Sequence, residues 1–506
     1  MGKISLLFLR NFQKVEPDKV MRKPFGVSDK IYTYLVTTFG DEAAKNYRDF
    51  AEEEPAKYIR VNERKISREI LADQLYQTYG IKADGVSYPN NALKITDGFD
   101  FVGSTLEIAF GFYYMQGLTS MLPAIVLNPS ANDLVLDMCS APGSKTTQIA
   151  EMMNNKGVLI VNELEIERIK ALVFNLDKMN FLNYGVVNSR GEVLSKYYNC
   201  YFDKILVDAP CSGLGIIQKK SEINTWWSLE RVNHLSELQN KLLVSAIKML
   251  KVGGELVYST CSLTPEENEV IINRLLEKYP VETEPVNIPI KHSKGLTEYN
   301  GKKFDNRLSC AIRIFPWEVD SDGFFLVKLK KIDETRPTEQ LKWKKHFVIT
   351  MHEHTDKVIN EKLNKLAEEF GINRDAFSNF KFLLRRNDIL FSSKEWSDEN
   401  LGLFHRVGCK FGTLDKKGNI VFHSLAAQIL QDHISKNIYD IQDLNELKLY
   451  LMGALIRNKE LHPGQYVVRF NRMLLGTAVV TKGGLKSRFP RSSRTQTIRI
   501  KGLKIQ

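Results

Sequence analysis

Short apolar runs alternate with longer amphipathic stretches through the middle of the chain. Residues 134–137 (Leu-Val-Leu-Asp) form an apolar run ending in an acid, and helical spacing follows over 144–153. Residues 157–161 read as a second strand ending at Asn162-Glu163, and 166–179 as a helix. Val186-Val187 is a weak third strand, and 202–208 a fourth. A long helix is predicted over 229–250, a fifth strand over 254–259 and a helix over 265–278. Strands alternating with helices of this length predict an α/β, doubly wound parallel sheet. In such sheets ligands sit at the carboxyl ends of the strands.

The flanks read differently. Residues 27–50 have helical spacing, 58–62 read as a strand and 66–79 as an amphipathic helix, which predicts a small α+β unit. Residues 332–340 are linker-like, and 341–460 are mixed and charged with no legible motif. Near the end, 466–470, 474–480 and 497–500 are strand candidates around glycine turns.

Composition narrows the class. With 506 residues, 43% hydrophobic and 26% charged, the chain has room for three or four domains at about 100–200 residues each. No apolar run reaches the roughly 18–20 residues of a transmembrane helix, and Leu6–Leu9 is too short for a signal-peptide core. Six cysteines without a CxxC pair predict neither a disulfide framework nor a zinc site, so a cytoplasmic, metal-free, membrane-free monomer is expected. The net charge of +11 is concentrated. Ten of the 71 basic residues lie between Leu461 and Gln506, where there is no Asp or Glu; the other 61 nearly balance the 60 acids. Basic residues interleaved there with Tyr466, Phe470 and Phe489 predict RNA phosphate contact.

Three motifs carry chemistry, each just past a strand. Asp137-Met-Cys-Ser-Ala-Pro-Gly-Ser-Lys145-Thr is a small-residue loop running into a helix start, suited to close approach of a ligand, and it lacks P-loop spacing. Glu163 closes the next strand, where an acid can accept from a ribose diol. Asp208-Ala-Pro-Cys211-Ser-Gly and Tyr258-Ser-Thr-Cys261-Ser put two cysteines at strand ends. A single free cysteine is usually a small buried hydrophobe, and Cys200, Cys310 and Cys409 are read so.

The paired cysteines resemble those of S-adenosylmethionine-dependent RNA 5-methylcytosine methyltransferases. The likeness extends over nearly the whole chain. It includes Arg60-Val-Asn62, Tyr114-Met-Gln116 with Ser120-Met-Leu-Pro123, Glu266-Glu-Asn268-Glu269 and Asp322-Gly-Phe-Phe325. The stretch Leu475-Gly476 to Arg494, with Leu485-Lys486-Ser-Arg-Phe-Pro490 inside it, is similar to the PUA-like tail of the bacterial branch acting on small-subunit ribosomal RNA.

The resemblance implies a Rossmann-like methyltransferase domain over 111–331. An N-terminal RNA-contact α+β domain would occupy 1–110, a linker 332–340, a middle domain 341–460 and a basic PUA-like module 461–506. It makes Cys261 the thiol that adds to cytosine C6, nucleophilic catalysis of the kind that splits one hard step into two. Cys211 would assist release, Asp208 would face the base near N3, and Lys145 would support Asp208. Cys139, Ser140, Ala141, Pro142, Gly143, Ser144 and Lys145 would line the methionine part of S-adenosyl-L-methionine, and Glu163 its ribose. Asp208 also borders the cofactor, and Arg168 is either a further cofactor contact or a solvated charge. Arg60, Arg469, Lys486, Arg488, Arg491 and Arg494 are expected to touch RNA.

Three positions depart from the family pattern. Ser144 stands where glycine is usual, tolerable unless the position needs positive φ. Gly117 stands where an acid is common. Arg190 stands where an Asp usually meets adenine, with Glu192 as a possible substitute acceptor. The rival readings are the same chemistry on tRNA, and an RNA-binding ribosome assembly factor that has lost catalysis. An amino-group methyltransferase would carry Asp/Asn-Pro-Pro-aromatic where Asp208-Ala-Pro-Cys stands.

Overall fold

The alternation of apolar runs and helices becomes one open, twisted sheet. In the computed structural model, residues 26–341, 350–457, 460–494, 498–500 and 503–505 are described. The Leu6–Leu9 run and Lys501 lie outside them, and only the backbone is described at Arg499 and Lys504. The central strands are β1 (Leu134–Asp137), β2 (Val158–Asn162), β3 (Tyr184–Val187), β4 (Phe202–Asp208), β5 (Leu250–Thr260), β6 (Ile312–Ile314) and β7 (Phe324–Lys331). The helices between them are α1 (Ser144–Met152), α2 (Ile166–Lys178), α3 (Leu229–Met249) and α4 (Glu269–Lys278).

The order is β6-β7-β5-β4-β1-β2-β3. The first five strands are parallel, and the direction of winding reverses between β1 and β4, the switch point where such sheets open a crevice. Every residue of β2 and β3 is buried, which explains their unbroken apolar runs. Among the strands that escaped the sequence pattern, β7 runs antiparallel to β5, and β6 antiparallel to β7.

The flanking regions are joined to this sheet. Phe404–Val407, from the segment without a legible motif, pairs antiparallel with β3 and extends the sheet at that edge. Phe370, Phe377, Phe411 and Phe422 share one core with Leu172, Leu176 and Phe181 of the catalytic half. The linker-like stretch lies along the sheet domain, with Leu341 N–H donating to Lys196 and Gln340 to Ser195.

At the N-terminal side, the helical span predicted over 27–50 is two helices, Asp29–Phe39 and Asp41–Glu52, parted at Gly40, whose φ is +88°. They pack on Leu214, Trp227 and Leu263, behind the cysteine loops. A four-stranded antiparallel sheet follows, and its strand Tyr113–Met115 carries this unit past residue 110.

The C-terminal sheet likewise begins before residue 461. Ile438–Asp440 and Leu455–Ile456 join Gln465–Phe470, Met473–Thr481 and Gly484–Ser487 in one five-stranded sheet. Phe489 packs 5.8 Å from Phe110, so this sheet is docked on the N-terminal unit. No helix among the described residues is long and apolar enough to cross a membrane.

Arg60 corrects an expectation. It is 0% exposed, pairs with Glu151 of α1, and donates to Gln116 Oε1 at 2.9 Å and Thr147 Oγ1 at 2.8 Å. Gln116 continues the chain of bonds to Gln148 Oε1 at 3.1 Å. Arg60 and Gln116 thus bolt the N-terminal sheet to the first helix of the catalytic domain, and Arg60 offers RNA no surface.

Candidate active site

The loop after β1 is shaped by one glycine. Gly143 sits at φ +111°, a conformation L side chains rarely adopt, and a Cβ there would meet Leu172 Cδ1 at 3.1 Å. Ser144 is not among the positive-φ residues; it opens α1, so serine in place of glycine costs nothing there. Asp137 lies beneath the loop. Thr146 donates to its Oδ2 at 2.6 Å, while its Oδ1 is buried without a partner. Burial lifts the Asp137 carboxyl to about 7. Cys139 lines the same cavity, and burial pushes its thiol up.

Lys145 reaches from α1 to the end of β4. Its Nζ is 2.7 Å from Asp208 Oδ2 and donates to Ser120 Oγ at 3.0 Å. Burial alone would lower the pKa of this ammonium, but Asp208 outweighs it and the net shift is upward. Asp208 Oδ1 accepts from Ser259 Oγ at 2.8 Å. The pair is thus a fixed carboxylate with one face to Lys145 and one to β5.

The two cysteines meet. Adjacent parallel strands bring Cys211 Sγ and Cys261 Sγ to 3.2 Å. The hydrogen bond to Cys261, then burial, raise the Cys211 thiol well above its ordinary value. Beneath them lies Glu267, fully buried. It accepts from Ser212 N–H at 2.8 Å, Ser262 Oγ at 2.7 Å and Thr264 Oγ1 at 2.8 Å. In the sequence it is one residue of the Glu266-Glu-Asn268-Glu269 stretch that carries the resemblance, with no role of its own assigned; the clue available was Ser directly after each cysteine.

A cleft of about 900 Å³ joins these groups. Its walls include Asp137, Cys139, Ser140, Ala141, Pro142, Ser144, Lys145, Glu163, Arg168, Arg190, Asp208, Cys211 and Cys261. Of the residues predicted to line it, only Gly143 stays behind the wall. Arg168 bridges the loop to the second strand, donating to Ala141 O at 2.6 Å and lying 3.3 Å from Glu163 Oε2. Its place is a brace as much as a contact. Asn162, which the sequence reading did not single out, links three strand ends: it donates to Met138 O at 3.1 Å and accepts from Ser189 N–H at 3.2 Å.

The departures at 190 and 117 have physical answers. The Arg190 side chain is 69% exposed and its guanidinium is engaged 2.7 Å from Glu192 Oε1. Glu192 is thus the acid on that wall of the cleft. At Gly117, a Cβ would lie 2.5 Å from Asp322 Oδ2, and Asp322 is paired with Lys219 at 2.7 Å. Asp322 fills the space that a side chain at 117 would need.

The predicted RNA-contacting tail divides. Lys486 and Arg491 are exposed. Arg469 is paired with Asp440 at 2.9 Å, and Arg494 donates to Phe489 O at 2.8 Å. Arg488 is half-buried, and burial lowers its pKa. Among the described residues no cluster of His, Cys, Asp and Glu suits a metal ion.

A switch-point crevice, a glycine-bent loop running into a helix and an acid at the next strand end define a Rossmann-like methyltransferase. A family model described as 16S rRNA methyltransferase RsmB/F matches residues 124–330. Ribosomal RNA small subunit methyltransferase F of Shewanella piezotolerans is 32% identical over 443 residues, covering 86% of this chain and 90% of that protein. The tRNA (cytosine(49)-C(5))-methyltransferase of Pyrococcus abyssi is 39% identical over 229 residues, 45% of this chain and 73% of its own length. Among solved structures, a methyltransferase homolog protein from Pyrococcus horikoshii superposes with a TM-score of 0.53 at 31% identity, covering 59% of this chain and 93% of that one.

The chain belongs to the RsmB/F family of 16S rRNA methyltransferases. It is an RNA cytosine-C5 methyltransferase, with S-adenosylmethionine as methyl donor. The cleft fits that donor: an unpartnered buried oxygen at Asp137, a close-approach loop, and buried Glu163 at the next strand end suit a cationic, diol-bearing nucleoside.

Proposed function

We propose that this protein methylates C5 of a cytosine in 16S ribosomal RNA, in the cytoplasm and as a monomer, through a covalent adduct at Cys261. The observation that carries the mechanism is the Cys211–Cys261 sulfur separation of 3.2 Å at the wall of the cleft that also holds Asp208 and Lys145. Cytosine C5 is a poor nucleophile. Cys261, having lost its proton, adds to C6; a C–S bond forms and the C5–C6 electron pair moves to C5. S-adenosylmethionine supplies the electrophilic methyl group that C5 receives. Cys211 assists the release step: the C5 proton leaves to solvent water, the C5–H electron pair re-forms the C5–C6 double bond, and the C–S electron pair returns to Cys261.

Asp208, steadied by Lys145 and Ser259, faces the base-pairing edge near N3, and the Lys145 ammonium beside it offsets the negative charge that develops on the ring during attack. Asp137, Ser140 and Ala141 hold the methionine end of the donor, Glu163 its ribose and Glu192 its adenine side. The target base has to leave any helical stack to reach Cys261.

Ribosomal RNA is favoured over tRNA because the small-subunit relative aligns over 86% of this chain, whereas the tRNA relative matches 45% of it. Bisulfite mapping of ribosomal RNA and tRNA from cells lacking the protein tests this. One lost 16S site supports the reading, and a lost tRNA site with intact 16S RNA overturns it. The assembly-factor alternative predicts no S-adenosylmethionine binding at millimolar concentration, measured by titration calorimetry.

A further inference from the structure

Resting on the two-cysteine reading, we infer that Glu267 is a positioning residue for the release half of the reaction, because its carboxylate holds the Cys211 loop against the Cys261 strand end. The carboxylate is fully buried and receives five donors. Ser212 N–H and Gln239 Nε2 donate to Oε1 at 2.8 and 3.0 Å; Ser212, Ser262 and Thr264 hydroxyls donate to Oε2 at 2.5, 2.7 and 2.8 Å. An ionised carboxylate is acceptor-only, and hydrogen bonds to it are about twice as strong as neutral ones.

The bonds are distributed unequally. Cys211 is held on both sides. Ser212 bonds Glu267 through N–H and hydroxyl, and Pro210 O accepts at 2.8 Å from Gln239, which itself bonds Glu267. Cys261 has other supports. Its carbonyl accepts from Gly215 N–H at 2.8 Å, and Ser262 O accepts from Asn268 Nδ2 at 3.0 Å. Ser262 N–H also bonds Thr260 Oγ1 at 3.2 Å, at the end of β5. Loss of the carboxylate therefore frees Cys211 far more than Cys261. In Glu267→Gln the amide nitrogen must face either a backbone N–H and a side-chain amide, or three hydroxyls that all have to turn.

The test is a comparison of adduct kinetics in the full-length protein, using an RNA that the parent methylates. For Glu267→Gln, single-turnover formation of the denaturation-resistant RNA adduct stays within about twofold of the parent. Release slows about tenfold, the scale set by one charge-assisted bond, and adduct accumulates on gels. Ser212→Ala, which removes only the Cys211-side hydroxyl, does the same more weakly and serves if Glu267→Gln does not fold; Ser262→Ala leaves release unchanged. Equal slowing of formation and release in both Glu267→Gln and Ser212→Ala, or slowing of neither, overturns the assignment. Cys211→Ala is run alongside. If it accumulates adduct and neither Glu267→Gln nor Ser212→Ala does, only the role of Glu267 falls. If Cys211→Ala accumulates none, the two-cysteine scheme fails and this inference with it.

Discussion

The cysteine end of the central sheet and the C-terminal sheet use polar residues in opposite ways. Around Cys211 and Cys261, buried Ser212, Ser262, Thr264 and Glu267 are bonded to one another, and buried Ser259 bonds Asp208. In the C-terminal sheet, Arg472, Lys482, Lys486 and Arg491 lie exposed. The first region works through fixed pairs, where one missing atom matters. As the proposed RNA-contact surface, the second would work through a summed field, where the number of charges matters more than their places.

The largest expected effect belongs to the first region. Cys261→Ala reduces methyl transfer to background, read by isotope incorporation, with the fold intact by circular dichroism; activity within tenfold of the parent would erase the distinction between the regions. Next is Arg60→Ala. Breaking the buried pair with Glu151 destabilises the chain by about 3–5 kcal/mol in urea melts. A loss of RNA affinity with unchanged stability would instead move Arg60 into the class of field residues. Reversing both Lys486 and Arg491 to Glu lowers the slope of log K against log salt by about 2. An unchanged slope would leave the C-terminal charge without a role in binding.

The smallest effect is one of acid sensitivity. His423, beside the C-terminal sheet, is lowered from 6.5 to about 4, chiefly by burial. The unfolded chain takes up a proton there first. Its contribution is complete above pH 6.5 and is lost as pH falls towards 4, by about 1.4 kcal/mol per unit. His423→Asn, which keeps an acceptor for the Leu425 N–H, flattens that slope in denaturant melts between pH 4.5 and 6.5. An unaltered slope would place the acid-sensitive group elsewhere.

The same contrast explains what could be read in advance. β1 to β5 were legible because buried parallel strands leave unbroken apolar runs, and Cys211, Cys261, Asp208 and Lys145 because their chemistry is rare at strand ends. β6 and β7 were missed because their place depends on partners, β5 above all, rather than on periodicity. Arg60 was misplaced because sequence records a charge and not its burial. Arg469 and Arg494 belong to a basic tail by composition, yet both are engaged within the fold. Glu267 stood in a recognisable stretch but its role was not legible, because its donors come from α3 and two loops far apart in sequence.

The strand Phe404–Val407 has a consequence for synthesis. Its pairing with Gly185–Val187 means that the edge of the catalytic sheet stays open while the intervening chain leaves the ribosome. An unpaired edge strand is a template for wrong partners, and contacts between distant segments form slowly. The catalytic domain of this protein is thus finished late in translation, by a segment that carries none of its chemistry.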